Sequence, residues 1–324
     1  MIVAAAMCVS SCGAVYDDEP YCNQGLSVRF VYDYNMEFAN AFPSQVHCLT
    51  VFVYDAEGRY VRTVTETDPA RLSDENWRMP IDLPEGTYSL LAYGGMACAD
   101  ASFSFTEEPS AGSPRTDMGV ALKPECLTTP QNLHPLFYGN LEVASVGWND
   151  TDYIEVTVKM MKDTNNFRIL LQNADGTPVH SDDYIFAITD NNTLFDWQNN
   201  LLPAPEVTYD PWDFGDIDGG QTEEGTLSVL AYAEFATSRL VTGSAAKLTI
   251  TRKSDGRTVL SIPLIRYLLM LKSQEFGYMG SQEFLDRESR WNMIFFLDST
   301  TGGWITTSIV INDWVVRIND IGDL

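Results

Sequence analysis

His47-Cys48-Leu49-Thr50-Val51-Phe52-Val53-Tyr54, then Asp55-Ala56-Glu57-Gly58-Arg59, then Tyr60 to Glu66, is the stretch on which the fold turns. The first run is continuously apolar and rich in Val, Thr and aromatic residues, which predicts a strand. The residues after it form turns readily, with Gly58 at the position that needs positive φ, so a short hairpin connection is expected. Tyr60 to Glu66 then alternates as a return strand does. Working outward, Leu26 to Tyr34, Thr87 to Tyr93, Ser102 to Thr106, Leu136 to Val143 and Tyr153 to Met160 repeat the pattern. About seven short strands over roughly 140 residues is the count expected of a β-sandwich.

Leu83-Pro84-Glu85-Gly86-Thr87-Tyr88 sets a Pro and Gly turn directly before a Tyr-bearing strand, and in this it resembles transthyretin-like sandwiches of extracellular proteins. Asp163-Thr164-Asn165-Asn166-Phe167 interrupts the apolar pattern, and a second strand series opens with Phe167 to Leu171. It continues through Tyr184 to Thr189, Thr226 to Phe235, Ala246 to Arg252, Thr258 to Ile262, Met293 to Leu297 and Ile305 to Ile318. Helical spacing is confined to Leu264 to Leu271 and Gln282 to Glu288. The expected fold is therefore all-β, two tandem transthyretin-like β-sandwich domains with short helical insertions, spanning 25–162 and 163–324. Between Asp190 and Gly225 the Asn, Asp, Pro and Gly content predicts a long connection, of the kind that is functional or mobile.

The chain has 324 residues, 45 Asp plus Glu against 20 Lys plus Arg, and a formal charge of -25. Such a surface repels phosphate backbones and anionic lipid heads, which argues against nucleic acid as a partner. The apolar run Met1 to Ser11 closes on small residues before Cys12-Gly13 and reads as a signal peptide, residues 1–11. It is too short to span a bilayer as a helix. Val9-Ser10-Ser11-Cys12-Gly13 resembles the bacterial lipobox, which makes Cys12 the expected site of lipidation and 12–24 a tether carrying the acidic group Asp17, Asp18 and Glu19. No Lys or Arg precedes Cys12, so the signal is expected to begin upstream of Met1. Two or three acyl chains there would hold the protein on a membrane, at about 0.8 kcal/mol per buried methylene. Cys22, Cys48, Cys98 and Cys126 remain, and their three possible pairings are left open.

Catalytic chemistry is poorly provided for. His47, His134 and His180 have no partners placed by sequence, and no serine stands in a Gly-x-Ser-x-Gly elbow. His47 and Cys48 are adjacent in a strand and should face opposite ways. Asp213, Asp216 and Asp218 before Gly219-Gly220 miss the EF-hand spacing and read as a solvated acidic loop, so no metal is expected. No phosphate-binding glycine loop precedes a helix, and no cofactor is expected. Trp77, Trp148, Trp197, Trp212, Trp291, Trp304 and Trp314 would stack on sugars if exposed, but in strands they belong more often to cores.

Asp190-Asn191-Asn192-Thr193-Leu194-Phe195-Asp196-Trp197-Gln198-Asn199-Asn200-Leu201-Leu202-Pro203, with Val207 to Trp212 after it, resembles the FimB/Mfa-type fimbrial anchor and accessory lipoproteins of Bacteroidales. Ile262-Pro263-Leu264-Ile265, Gln282 to Glu288, Met293 to Asp298 and Trp304 to Ile318 fit the same family in the same order, as do Val28-Arg29-Phe30 and Val51 to Asp55. Asp313 stands where the family often has Gly. The resemblance implies a structural lipoprotein and not an enzyme, held on the outer membrane through Cys12 and joined to fimbrial subunits by β-strand exchange. An extended strand suits such a contact because its backbone ladder gives affinity while alternate side chains give register. Ile305, Ile309, Ile311, Trp314, Val316 and Ile318 are the candidate partner-binding residues. The same segment could instead complete its own domain's sheet, since strand periodicity does not separate the two. A glycan-binding surface lipoprotein, using exposed Trp and the long middle connection, is the competing expectation.

Overall fold

The computed structural model describes residues 24–147, 152–221, 227–305, 308–312 and 314–317. The first half supplies strands β1 (Gly25–Val31), β2 (Leu49–Tyr54), β3 (Tyr60–Glu66), β4 (Met79–Asp82), β5 (Gly86–Gly94), β6 (Phe103–Phe105), β7 (Gly119–Leu122), β8 (Phe137–Val146) and β9 (Tyr153–Lys162). The second supplies β10 (Thr164–Asn173), β11 (Tyr184–Asp190), β12 (Leu194–Asp196), β13 (Val207–Tyr209), β14 (Asp213–Gln221), β15 (Leu227–Ser238), β16 (Lys247–Arg252), β17 (Thr258–Pro263), β18 (Arg290–Leu297), β19 (Ser308–Ile311) and β20 (Trp314–Arg317). Among the described residues five α-helices intervene: α1 (Phe42–Gln45), α2 (Pro69–Leu72), α3 (Glu125–Thr128), α4 (Leu264–Glu275) and α5 (Ser281–Arg287). The fold is all-β with helical insertions.

In the first half β3-β2-β5-β8-β9-β1-β4 form one seven-stranded sheet. β8 pairs with β9 only from Phe137↔Lys162 to Asn140↔Lys159, while its pairing with β5 runs its whole length, so the sheet turns a corner there. Gly139 permits the corner: a Cβ on it would lie 2.7 Å from the Lys159 carbonyl oxygen. The folded sheet encloses Leu49, Val51, Val53, Leu90 and Ala92 with Leu26, Val28, Met79, Ile81 and Val158. Each Leu, Val, Ile or Met side chain among them contributes about 1.5–3 kcal/mol by leaving water. Because β2 is buried on both faces, its other row, Phe52 and Tyr54, faces a second core. Gly58 adopts φ 71° in the β2–β3 connection, as its position requires.

That second core is shared. Phe52, Leu91, Tyr93 and Tyr138 of the first half belong to the same cluster as Phe167, Ile169, Phe235, Ile188, Leu248 and Ile262 of the second. The second half contains a six-stranded sheet, β14-β15-β10-β18-β19-β20, and a four-stranded one, β13-β11-β16-β17. A three-stranded sheet, β12-β7-β6, takes strands from both halves, with Leu194↔Ala121, Phe195↔Val120 and Asp196↔Gly119 as its cross-pairs. Each half pairs its opening strand in parallel with a strand near its end, β1 with β9 and β10 with β18.

The segment 190–225 departs from the expectation of a long connection, since it contains β12, β13 and β14. Local Asn, Asp, Pro and Gly content is overridden there by pairing with β7, β11 and β15. Met79–Asp82 and Gly119–Leu122 are strands without a clear local signal. Ile305 to Ile318 holds two antiparallel strands and not a single run, with Asn312 at φ 47° between them.

Candidate subunit-binding edge

The terminal strands are built outward from β18, whose alternation buries Trp291, Met293, Phe295 and Leu297. Trp291 is anchored by its indole N–H, which donates to Asn165 Oδ1 at 3.1 Å, and by stacking on Phe167. After β18 the chain turns at Asp298, whose Oδ1 accepts from the amides of Thr300 at 2.9 Å and Thr301 at 2.8 Å. Those backbone bonds, Thr301 first, hold the Asp298 carboxyl below its ordinary range. Trp304 returns to bridge Leu297 and packs edge-on against Phe295 and beside Tyr267 of α4.

The Ile305 amide donates to the Phe296 carbonyl at 2.8 Å, and Ile305 is half-buried. Ile311 is fully buried and pairs with Met293, so its side chain belongs to the core of its own half. Ile309, Trp314 and Val316 lie in the β19–β20 ladder, paired Ile309↔Val316 and Ile311↔Trp314. Ile318 and Asp313 lie outside the described residues. Asn312 closes the hairpin: its Oδ1 accepts from the Asn292 amide at 2.7 Å and its Nδ2 donates to the Arg290 carbonyl at 3.1 Å. Among the described residues β19 meets β18 through Met293↔Ile311 and Ile294↔Val310, whereas β18 meets β10 along eight pairs.

The six-stranded sheet therefore ends in two edges of opposite character. At one end β14 reads Asp-Phe-Gly-Asp-Ile-Asp-Gly-Gly-Gln, with a register irregularity between Asp218 and Gly220. Charges and bulges of this kind discourage edge-to-edge pairing. At the other end β20 reads Trp-Val-Val-Arg, and among the described residues it pairs with β19 alone.

The remaining sequence candidates fall elsewhere. Asp213 and Asp216 are engaged separately, Asp213 accepting from the Tyr232 hydroxyl and Asp216 from the Ser181 amide beside His180. Asp218 caps the Gly220 amide. His134 pairs with Asp100 at 3.1 Å, and His47 is exposed while Cys48 is buried. Cys48 and Cys98 form a disulfide, one of the pairings left open by sequence, and Cys126 is free and buried. His134 lies beside that bridge, but its two sulfurs are consumed by their bond and offer no thiolate to a metal. Trp291 is buried and Trp77, Trp197, Trp212 and Trp304 are half-buried, so none of these presents an open face. Cys12, Cys22, the group Asp17 to Glu19 and Trp148 lie outside the described residues. No helix among the described residues is long and apolar enough to cross a membrane.

Two β-sandwiches in series, sharing one core and ending in an apolar strand edge, place the molecule in the class of modular β-sandwich proteins. Residues 18–320 match the model of the Fimbrillin-A associated anchor proteins Mfa1 and Mfa2, and the chain belongs to that family. It is similar to a candidate adhesin from Bacteroides thetaiotaomicron, at 51% identity and TM-score 0.86 over 91% of this chain and 98% of that one. A second Bacteroides thetaiotaomicron structure, described as a candidate polysaccharide-binding protein, is 31% identical with TM-score 0.78, covering 92% of this chain and 99% of that one. The minor fimbrium anchoring subunit Mfa2 of Porphyromonas gingivalis is 22% identical over 261 residues, 79% of this chain and 74% of that protein. Its solved structure shares the fold at TM-score 0.68, with 17% identity over 91% of this chain and 99% of that one.

Proposed function

We propose that this chain anchors a fimbrium: acyl chains on Cys12 hold it to the outer membrane, and the β19–β20 edge receives a strand of the neighbouring fimbrial subunit. The observation that carries the reading is the asymmetry of the six-stranded sheet, acidic and irregular along β14 but apolar along β20. The ladder beside Trp314-Val315-Val316, unpaired among the described residues, supplies backbone donors and acceptors at strand spacing, which is what strand addition uses. The short seam between β18 and β19 adds to this, since among the described residues the hairpin is held to its sheet by two residue pairs, the Asn312 bonds and the buried Ile311 side chain. Domains 25–162 and 163–324 would then lie in series between lipid and polymer.

Truncation after Asn312 tests the edge, because it removes β20 while leaving Ile311 in its core position. The truncated protein should still reach the cell surface and melt only slightly lower, while fimbriae are shed into the medium. Fimbriae retained at normal yield would sink the edge reading. Cys12→Ser tests the anchor separately: protein and fimbriae should both leave the membrane fraction, and retention of the protein there would overturn lipidation. The half-buried Trp side chains offer little support to a sugar-stacking reading.

A further inference from the structure

α4 meets β17 in a cleft of about 570 Å³. Ile262, Ile265 and Leu269 make its floor, and Lys247, Arg266 and Lys272 stand around it, with no carboxylate among its lining residues. The placement follows from sequence. Arg266, Leu269 and Lys272 recur at helical spacing and share one face of α4. Leu264, Leu268 and Leu271 bury the other face. Lys247 opens β16 directly across from Pro263, which closes β17.

Three unshielded cations at one site are unexpected in a chain with 45 acidic and 20 basic residues. Elsewhere eight described Lys and Arg side chains sit against acids, as in Arg168–Glu234, Arg239–Asp286 and Arg287–Glu283, each at 2.8 Å, and others such as Arg29 and Lys253 stand singly, whereas here three share one cleft. Lys247, Arg266 and Lys272 have neither an ion pair nor a side-chain hydrogen bond among the described residues. Beside them β17 is the outer strand of its sheet, its second edge paired with no described strand. An extended chain laid along such an edge sends alternate side chains toward the cleft, so the preferred occupant alternates carboxylates with apolar groups.

We propose that this cleft docks an extended acidic segment of a neighbouring fimbrial subunit, its apolar side chains on the Ile262–Leu269 floor and its carboxylates on Lys247, Arg266 and Lys272. The identity of the partner rests on the anchor reading above; the surface is a different sheet from the one that carries β20.

Fluorescence anisotropy of the full chain with a labelled Asp-Val-Asp-Val-Asp-Val-Asp peptide tests it. Lys247→Ala, Arg266→Ala and Lys272→Ala together should weaken binding by about tenfold or more, with the salt dependence lost. The same peptide with Lys for Asp should not bind. Unaltered thermal melting of the triple variant shows that the fold is intact, and Lys247→Gln alone gives a milder version of the same test. Equal binding by the variant, equal binding of the basic peptide, or full displacement by succinate at comparable concentration would each overturn the proposal. Concentration-dependent self-association that disappears in the triple variant would do so too, because the occupant would then be a second copy. Truncation after Asn312 removes no residue that lines the cleft, although β20 packs beside α4. Peptide binding that fails while this truncation sheds fimbriae rejects the cleft alone, and the reverse pattern rejects the β20 edge alone.

Discussion

Asp163 is the one residue between β9 and β10, and its side chain is wholly buried. Its Oδ1 accepts from Asn199 Nδ2 at 3.0 Å and lies 3.9 Å from Arg239 Nε, while Oδ2 has no partner. Arg239 is committed to Asp286 through two bonds of 2.8 and 2.9 Å and neutralises Asp163 only from a distance. Burial therefore dominates and lifts the Asp163 carboxyl from 3.8 to about 7, against the pull of Arg239 and Asn199. A raised carboxyl binds its proton more tightly folded than unfolded, so the stabilisation is complete below about pH 3.8 and is lost as pH rises through about 7. Asp163→Asn should abolish that slope, matching the native protein in acid and exceeding it above pH 7 by up to about 4 kcal/mol. Thermal midpoints taken across this pH range check the sign; a variant less stable above pH 7 would show that the ionised carboxylate is the favoured form. The Cys48–Cys98 bridge is the other residue-scale determinant. It closes a loop of sequence separation 50, and its removal by the double Ala variant should cost about 2–4 kcal/mol in urea unfolding.

At the scale of elements, legibility in the sequence followed burial for β2 and β5, which differ from expectation by a residue or two because their Val, Leu and aromatic runs are core side chains. Tyr60 to Glu66, a strand at the expected bounds, has no buried residue and was legible from the turn before it and its own alternation. β4 escaped because Pro80 argues against an interior strand, and it is in fact the edge of its sheet, where Pro is tolerated. β12, β13 and β14 escaped because their stability comes from distant partners and not from their own composition. The candidate site was legible only as a strand-forming run. Neither the turn at Asn312 nor the burial of Ile311 follows from period-two spacing, since each depends on the register against β18. The acidic composition of β14 lies at a sheet edge: Asp216 and Asp218 are exposed, and beyond β15 the strand pairs with no other described strand. Asp218→Val, which keeps the Asp216 bonds to Ser181 and His180, should leave the fold intact but produce concentration-dependent aggregates by light scattering. Clear solutions of the variant at high concentration would show that this charge does not protect the edge.

The whole molecule is tied across its halves at several places, which matters if force is to pass from lipid to polymer. Arg287 reaches from α5 to lie over Tyr34 at 4.2 Å and Phe38 at 4.6 Å, and donates to the Asp33 and Asn35 carbonyls. Arg115 of the first half stacks on Trp197 of the second at 4.2 Å, and the Tyr138 hydroxyl donates to the Trp197 carbonyl at 3.1 Å. Between these contacts runs the β7–β12 ladder, with Phe195 1% exposed at its centre. A shared core and a shared sheet imply that neither half melts without the other. Calorimetry should show one transition whose measured enthalpy equals its van't Hoff enthalpy. Phe195→Ala removes the ring at the seam at a cost of about 3–5 kcal/mol, and because the loss falls on the junction and not within either sandwich, the single transition should separate into two. Two peaks in the unaltered protein would mean that the halves unfold independently and that force on one is not shared by the other. A single peak in Phe195→Ala, merely shifted to lower temperature, would instead assign the coupling to the remaining shared core and the two arginine clamps.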